Sequence, residues 1–132
     1  MAVTLPDDLK VALDDKSFVH LSTLDEDGSP HATAMWVMRD GDDIVFNTAE
    51  GRRKWRNLQR DGRVAISVSP ASDPYKNYAI KGEVREMRTD DGVEVIDRLA
   101  QKYLGEDKYP WLTPGMVRVT IVVEPTMVAA NG

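Results

Sequence analysis

The segment Gly51-Arg52-Arg53-Lys54-Trp55-Arg56-Asn57-Leu58-Gln59-Arg60 carries five basic side chains and no carboxylate. The rest of the chain is acidic: 17 Lys and Arg stand against 22 Asp and Glu over 132 residues, a net charge of -5. The segment is therefore a local island of positive charge. It follows a strand-like run, Asp43 to Thr48, and Thr48 is the expected cap of the helix it begins. A helix N-terminus presents unpaired N–H groups and the positive end of the dipole, so added Arg and Lys make an anion site suited to a cofactor phosphate. Arg53, Lys54 and Asn57 fall within one helical turn and are expected to face the same region, with Thr48 adding a hydroxyl. Trp55 and Leu58 are expected to seat the helix on the core.

Other residue types offer less chemistry. His20 and His31 are the only histidines, and no Asp or Glu spacing beside them resembles a metal site, so structural or solvent-facing roles are expected. Ser67 and Ser69 have no recognisable His and Asp partners for a hydrolase triad. The absence of cysteine removes disulfides, thiolate metal sites and thiol nucleophiles. Neither a Gly-x-Gly-x-x-Gly fingerprint nor a P-loop is present. A pI near 5.0 argues against general nucleic-acid binding. No apolar run approaches the roughly 20 residues of a membrane span, and Met1 to Lys10 lacks a signal-peptide core, so a cytoplasmic location is expected.

The elements that must position the basic segment follow from periodicity. The length suits one domain, residues 1–132. Pro6-Asp7-Asp8 before Leu9, Ala12 and Leu13 predicts a short helix. Ser17 to Leu24 alternates as a half-buried strand; Asp25 to Pro30 is a turn; His31 to Met38 is a second strand. Arg39-Asp40-Gly41-Asp42 turns tightly into the third, Asp43–Thr48. Asp61-Gly62 ends the basic helix before a strand at Arg63–Ser69. Tyr75 to Met87 predicts a long strand with a bulge at Gly82. Thr89 is the expected cap of another helix, with Asp90 and Asp91 in its first turn, an apolar stripe of Val93, Ile96, Leu99, Ala100 and Tyr103, and a stop at Gly105. Met116 to Ala130 closes as a β-strand. Six strands and two or three short helices favour a mostly antiparallel α+β barrel.

Three blocks of residues carry a resemblance to a known family. They are Gly28-Ser29-Pro30-His31 through Val37, Phe46-Asn47-Thr48 through Arg53-Lys54-x-x-Asn57-Leu58 to Asp61-Gly62-Arg63-Val64, and Tyr78-x-x-x-Gly82-x-Val84. In order and spacing they resemble the pyridoxamine-phosphate-oxidase-like flavin and deazaflavin oxidoreductases, which implies a six-stranded antiparallel split β-barrel. Trp36 after Met35, the Arg53-Lys54 pair before Asn57 and the compact length resemble the subgroup that uses the deazaflavin coenzyme F420, with FMN the alternative. The resemblance implies that Arg53 and Lys54 grip the phosphate, that Arg56 meets the coenzyme's acidic tail, and that Met35, Trp36, Val37, Asn47 and Thr48 border the ring. It further implies a homodimer with the cofactor at the subunit interface, and Lys76, Tyr78 and Trp111 (within Tyr109-Pro110-Trp111) as second-subunit contacts. The expected activity is hydride transfer between the deazaflavin C5 and a planar conjugated acceptor such as a tetrapyrrole or quinone, with Tyr78 a candidate proton donor. The alternatives are an FMN-dependent oxidoreductase on this fold or a non-catalytic flavin- or F420-binding protein. Arg53→Ala and Lys54→Ala are both expected to weaken cofactor binding.

Overall fold

A computed structural model describes residues 2–131; Met1 and Gly132, the ends of the expected 1–132 domain, lie outside the described residues. The chain runs α1 (Asp7–Asp14), β1 (Phe18–Leu24), β2 (Pro30–Met35), β3 (Met38–Asp40), β4 (Asp43–Ala49), α2 (Arg53–Arg60), β5 (Arg63–Ser69), β6 (Tyr78–Arg88), α3 (Gly92–Leu104) and β7 (Arg118–Ala130). The seven strands form one antiparallel sheet in the order β2-β1-β5-β6-β7-β4-β3.

That order contains the central geometric fact. β2 and β3 are the two edges of the sheet, yet only Trp36 and Val37 separate them in sequence. Three peptide steps span at most about 11 Å, at 3.8 Å per Cα–Cα step. The sheet must therefore roll until its edges nearly meet, which is a split barrel. Seven strands replace the six expected because the run from His31 to Met38 is not continuous: its first part pairs with β1 and its last part with β4. The apolar run from Ala34 to Met38 crosses the break without a turn residue, but the partners lie on opposite edges.

The barrel interior is filled by alternate residues of the strands: Val19 and Leu21, Ile44 and Phe46, Val64, Ile66 and Val68, Ile80, Ile121 and Val123. Leu9 and Leu13 of α1 close one end, and Leu58 of α2 another. Each fully buried side chain of this size contributes roughly 1.5–3 kcal/mol. α3 packs outside the barrel, with Val95, Ile96 and Leu99 against Val45. β4 is therefore covered on both faces and is buried continuously from Ile44 to Ala49, the polar Asn47 and Thr48 included.

Helix boundaries differ from expectation in instructive ways. Thr48 is no cap: it stays in β4, paired with Val119, and α2 begins only after Gly51, whose φ of 88° turns the chain. Trp55 is half-buried, and Asn57 and Leu58 are the residues that seat α2. α3 starts at Gly92, leaving Thr89 and Asp90 outside and Asp91 at the cap, where its carboxylate accepts from Arg88. Its buried stripe uses Val95 in place of Val93, which is exposed. Gly105 ends it in the left-handed region, and the register shifts between Lys81 and Gly82 as the bulge required.

Candidate functional site

A cavity of about 540 Å³ opens where the start of β1, the end of β2, the end of β4, the first turn of α2, α3 and the start of β7 converge. No Asp or Glu lines it, although the chain is acidic; its charged and titratable lining is Lys16, His20, Arg52, Lys54 and Arg118, with Tyr103 and Tyr109.

One end is cationic. Arg118, 6% exposed, donates from Nε to Asn47 Oδ1 at 2.9 Å, and its guanidinium lies 5.0 Å from the Tyr109 ring centroid. Asn47 in turn donates from Nδ2 to the Gly92 carbonyl at 2.8 Å, so both ends of its amide are used and its role is to aim Arg118. Lys54 and Arg52 complete the group. Among the described residues, no carboxylate pairs with Arg52, Lys54 or Arg118. Burial lowers the pKa of Lys54, helped by Arg52 and Arg118, and burial likewise lowers that of Arg118. A desolvated cation without a counter-ion is costly, and three together repel one another. Such a cluster is stabilised by an incoming anion and is the chemistry of a phosphate or carboxylate site.

The other wall is aromatic. Trp36 stacks on Tyr103 with centroids 5.6 Å apart and planes 8° from parallel. Tyr109 meets Trp36 edge-on at 6.1 Å, and Trp111 lies 6.4 Å from Trp36 and 5.6 Å from Tyr109. The loop carrying these last two is tied down by Tyr109 N–H donating to Asp97 at 2.9 Å. Rings adjoining unpaired cations, with Arg118 lying against Tyr109, suit a flat, apolar group that bears an anionic tail.

The sequence profile of the pyridoxamine 5'-phosphate oxidase family matches residues 5–128. This chain belongs to that family. Among solved structures, an F420 reductase is 30% identical, with a TM-score of 0.82 over 95% of this chain and 98% of its own. A putative pyridoxamine 5'-phosphate oxidase from Listeria innocua (17% identical, TM-score 0.72, covering 96% of this chain and 98% of its own) shares the fold. So does an FMN-binding protein from Syntrophomonas wolfei subsp. wolfei (13% identical, TM-score 0.67, covering 94% and 82%). No curated protein matches the chain in sequence.

Of the residues that the family resemblance singled out, Met35, Trp36, Asn47, Thr48, Lys54 and Trp111 line the cavity. Six do not. Val37 is wholly buried at the break between β2 and β3. Arg53, Arg56 and Asn57 lie on the far side of α2, in a depression shared with Asp25, Glu26 and Asp27. There Arg53 forms a two-pronged ion pair with Asp25, and Asn57, 4% exposed, donates to Thr23 and Asp25 at 3.0 and 2.9 Å. Arg56 donates back to the Gly51 carbonyl. Lys76 and Tyr78 both engage Asp8 on α1, at 3.2 and 2.6 Å. Tyr78 is 2% exposed, and its hydroxyl donates to that carboxylate.

The reason for the exchange of Arg53 for Arg52 is local. Arg52 is extended (φ -68°, ψ 154°), so it precedes the helix and projects differently from a residue in the first turn. In the sequence Arg118 is a lone cation opening an apolar strand, with no local signal of a site. Helical spacing places Tyr103 on the apolar stripe of α3, but it is half-buried and lines the cavity. His20, expected in a structural or solvent-facing role, also lines it.

Proposed function

We propose that this chain is an F420-dependent oxidoreductase that binds the deazaflavin in the cavity and reduces a planar, conjugated, electron-poor acceptor, tetrapyrrole-like or quinone-like. The observation that carries the reading is the unpaired cluster of Arg52, Lys54 and Arg118 facing an aromatic wall. The similarity to an F420 reductase over nearly the whole length supports the choice of coenzyme. In this reading Arg52, Lys54 and Arg118 hold the phosphate, Asn47 aims Arg118, and the Thr48 hydroxyl is a further polar group at the same end. Trp36, Tyr103 and Tyr109 provide the apolar wall that orients the ring and excludes water from one face. The coenzyme, when bound, supplies the hydride chemistry, and the protein supplies placement and electrostatics. The open side of the cavity leaves room for the acceptor and for a proton from solvent.

The proposed homodimer has support in the outer face of the sheet. Ala32, Ala34, Ala65 and Ser67 are exposed there beside Phe18 and His20, in register across β2, β1 and β5. Small side chains let a second copy approach closely, and Phe18 and His20 reach both this face and the cavity. A partner seated there would complete the open side.

Calorimetric or fluorescence titration of the purified protein with F420 and, separately, FMN tests the reading. Tight F420 binding with weaker FMN binding is expected. Preference for FMN moves the protein to the flavin branch, and failure of both to bind removes the cofactor assignment.

A further inference from the structure

The break between β2 and β3 poses a satisfaction problem. Val37 is fully buried, and its backbone N–H and C=O have left both edge strands. Buried main-chain groups need partners. Both partners come from consecutive side chains on α3: the Val37 carbonyl accepts from Lys102 Nζ at 2.6 Å, and its N–H points at Tyr103 Oη at 3.4 Å. Lys102 also donates to the Leu13 carbonyl, one of the last carbonyls of α1 and without a partner inside that helix. Tyr103 Oη donates to the Ser17 carbonyl at 3.2 Å. One turn of α3 therefore fastens the end of α1, the start of β1 and the seam of the barrel.

The residue preceding Val37 is Trp36, whose indole stacks on Tyr103 in the cavity wall. Fixing the Val37 peptide fixes the backbone that carries that indole. We propose that Lys102 is the positioning residue of the cavity: by holding the Val37 and Leu13 carbonyls it sets the conformation of the seam in which Trp36 stacks on Tyr103, ready to receive a planar ligand. Lys102 is not itself part of the cavity lining; it acts through the Val37 carbonyl and through the Tyr103 ring, 5.0 Å from its ammonium. Its consequence for affinity rests on the deazaflavin reading above, whereas its consequence for Trp36 does not.

Two further observations fit. Among the described residues, Lys102 forms no ion pair within 4.0 Å; its ammonium is held by the two carbonyls and lies 5.0 Å from the centroid of the Tyr103 ring. Its ammonium is desolvated, which pushes its pKa down to about 8 against the opposing pull of Asp14 and Asp15 on the α1 side; Asp14 is itself engaged by Arg39. The clasp is then strongest when the ammonium is charged and weakens as pH rises through that value.

The test uses the intact chain. Near-UV circular dichroism reads the stacked indole, with Trp36→Phe identifying its band, and F420 affinity is measured on the same samples. Lys102→Met keeps the aliphatic stem and removes the donors. It is expected to retain far-UV signal and cooperative unfolding, to lose the Trp36 band, and to bind F420 about ten-fold more weakly; Lys102→Arg is expected to restore part of both. A folded Lys102→Met with the native band and native affinity overturns the proposal. Should Lys102→Met not fold, the native protein decides: the Trp36 band is expected to change with a midpoint near pH 8. That transition must persist in Lys54→Met, which removes the other depressed lysine. A flat titration overturns the proposal. If F420 does not bind the native protein, the coenzyme reading falls and the near-UV measurements still judge Lys102.

Discussion

Lys54 and Arg53 are neighbours in sequence, yet they face different chemistry. Lys54 enters the cavity with Arg52 and Arg118, while Arg53 is consumed by Asp25. Lys54→Ala and Arg118→Ala are each expected to weaken F420 binding by about 10- to 150-fold, the equivalent of losing a charge-assisted bond of roughly 1.5–3 kcal/mol. Arg53→Ala is expected to leave affinity within about two-fold, and titration of all three variants checks the contrast. Arg53 and its hydrogen bonds hold the Asp25 carboxyl down at about 2, below the ordinary aspartate value of about 3.9. A depressed carboxylate stabilises the fold above its unfolded pKa and loses that contribution as pH falls through its folded one. The stability gap between native protein and Arg53→Ala is thus expected to be constant above about pH 5 and to close between about pH 4 and 2, which denaturant unfolding at each pH would reveal.

At the scale of elements, α3 is held against β7 by the absence of a side chain. A Cβ on Gly92 would come within 2.0 Å of the Arg118 carbonyl oxygen and 3.1 Å of the Arg118 Cβ. Gly92→Ala therefore has to push α3 off the strand that begins with the buried arginine, and it also disturbs the carbonyl that Asn47 uses. Overpacking of this kind costs about 1–3 kcal/mol; a lower melting temperature together with weaker F420 binding is expected, although residue 92 touches no ligand space. Most of these elements were legible in the sequence, because two-residue alternation in β1 and β5 and helical spacing in α1 and α3 are local signals. The break at Trp36–Val37 was not, because no Gly, Pro or polar residue interrupts the apolar run from Ala34 to Met38 and only the pairing of distant strands divides it. In the site, the basic run around Lys54 and the aromatics of residues 109–111 stand out in the sequence, the latter expected there as second-subunit contacts, whereas Tyr109 and Trp111 line the chain's own cavity. Arg118 does not stand out, since its importance comes from Asn47, Tyr109 and α2 arriving around it from elsewhere in the chain.

For the whole molecule, the net charge of -5 and a cavity whose charged lining is all basic divide the electrostatics into a repelling exterior and one attracting mouth. The exposed plane of small residues on β2, β1 and β5 lies next to that mouth. If a second copy covers it, Ala65→Glu, which places a charge on the plane away from the cavity, is expected to yield monomers at concentrations where the native chain sediments as a dimer. F420 affinity should fall in the same variant, because the open side would lose its cover. Among the described residues, no helix is long and apolar enough to cross a membrane.

The seam of the barrel has one more consequence, which concerns how the molecule opens. Everywhere else neighbouring strands are joined by backbone ladders, and the longest of these, between β6 and β7, runs from Tyr78 to Arg88. Between β2 and β3 the closure depends on a few side-chain bonds from one turn of α3. Parting the seam breaks those few bonds, whereas parting β6 from β7 dismantles the sheet. Amide hydrogen exchange should therefore divide the chain in two. The Val37 and Met38 amides are expected to exchange through a local opening that is insensitive to mild denaturant, and those of Ile80 and Ile121 only with global unfolding. Because Trp36 and Val37 tie the two edges covalently, such an opening loosens the seam without parting the barrel, and Trp36 of the cavity wall loosens with it.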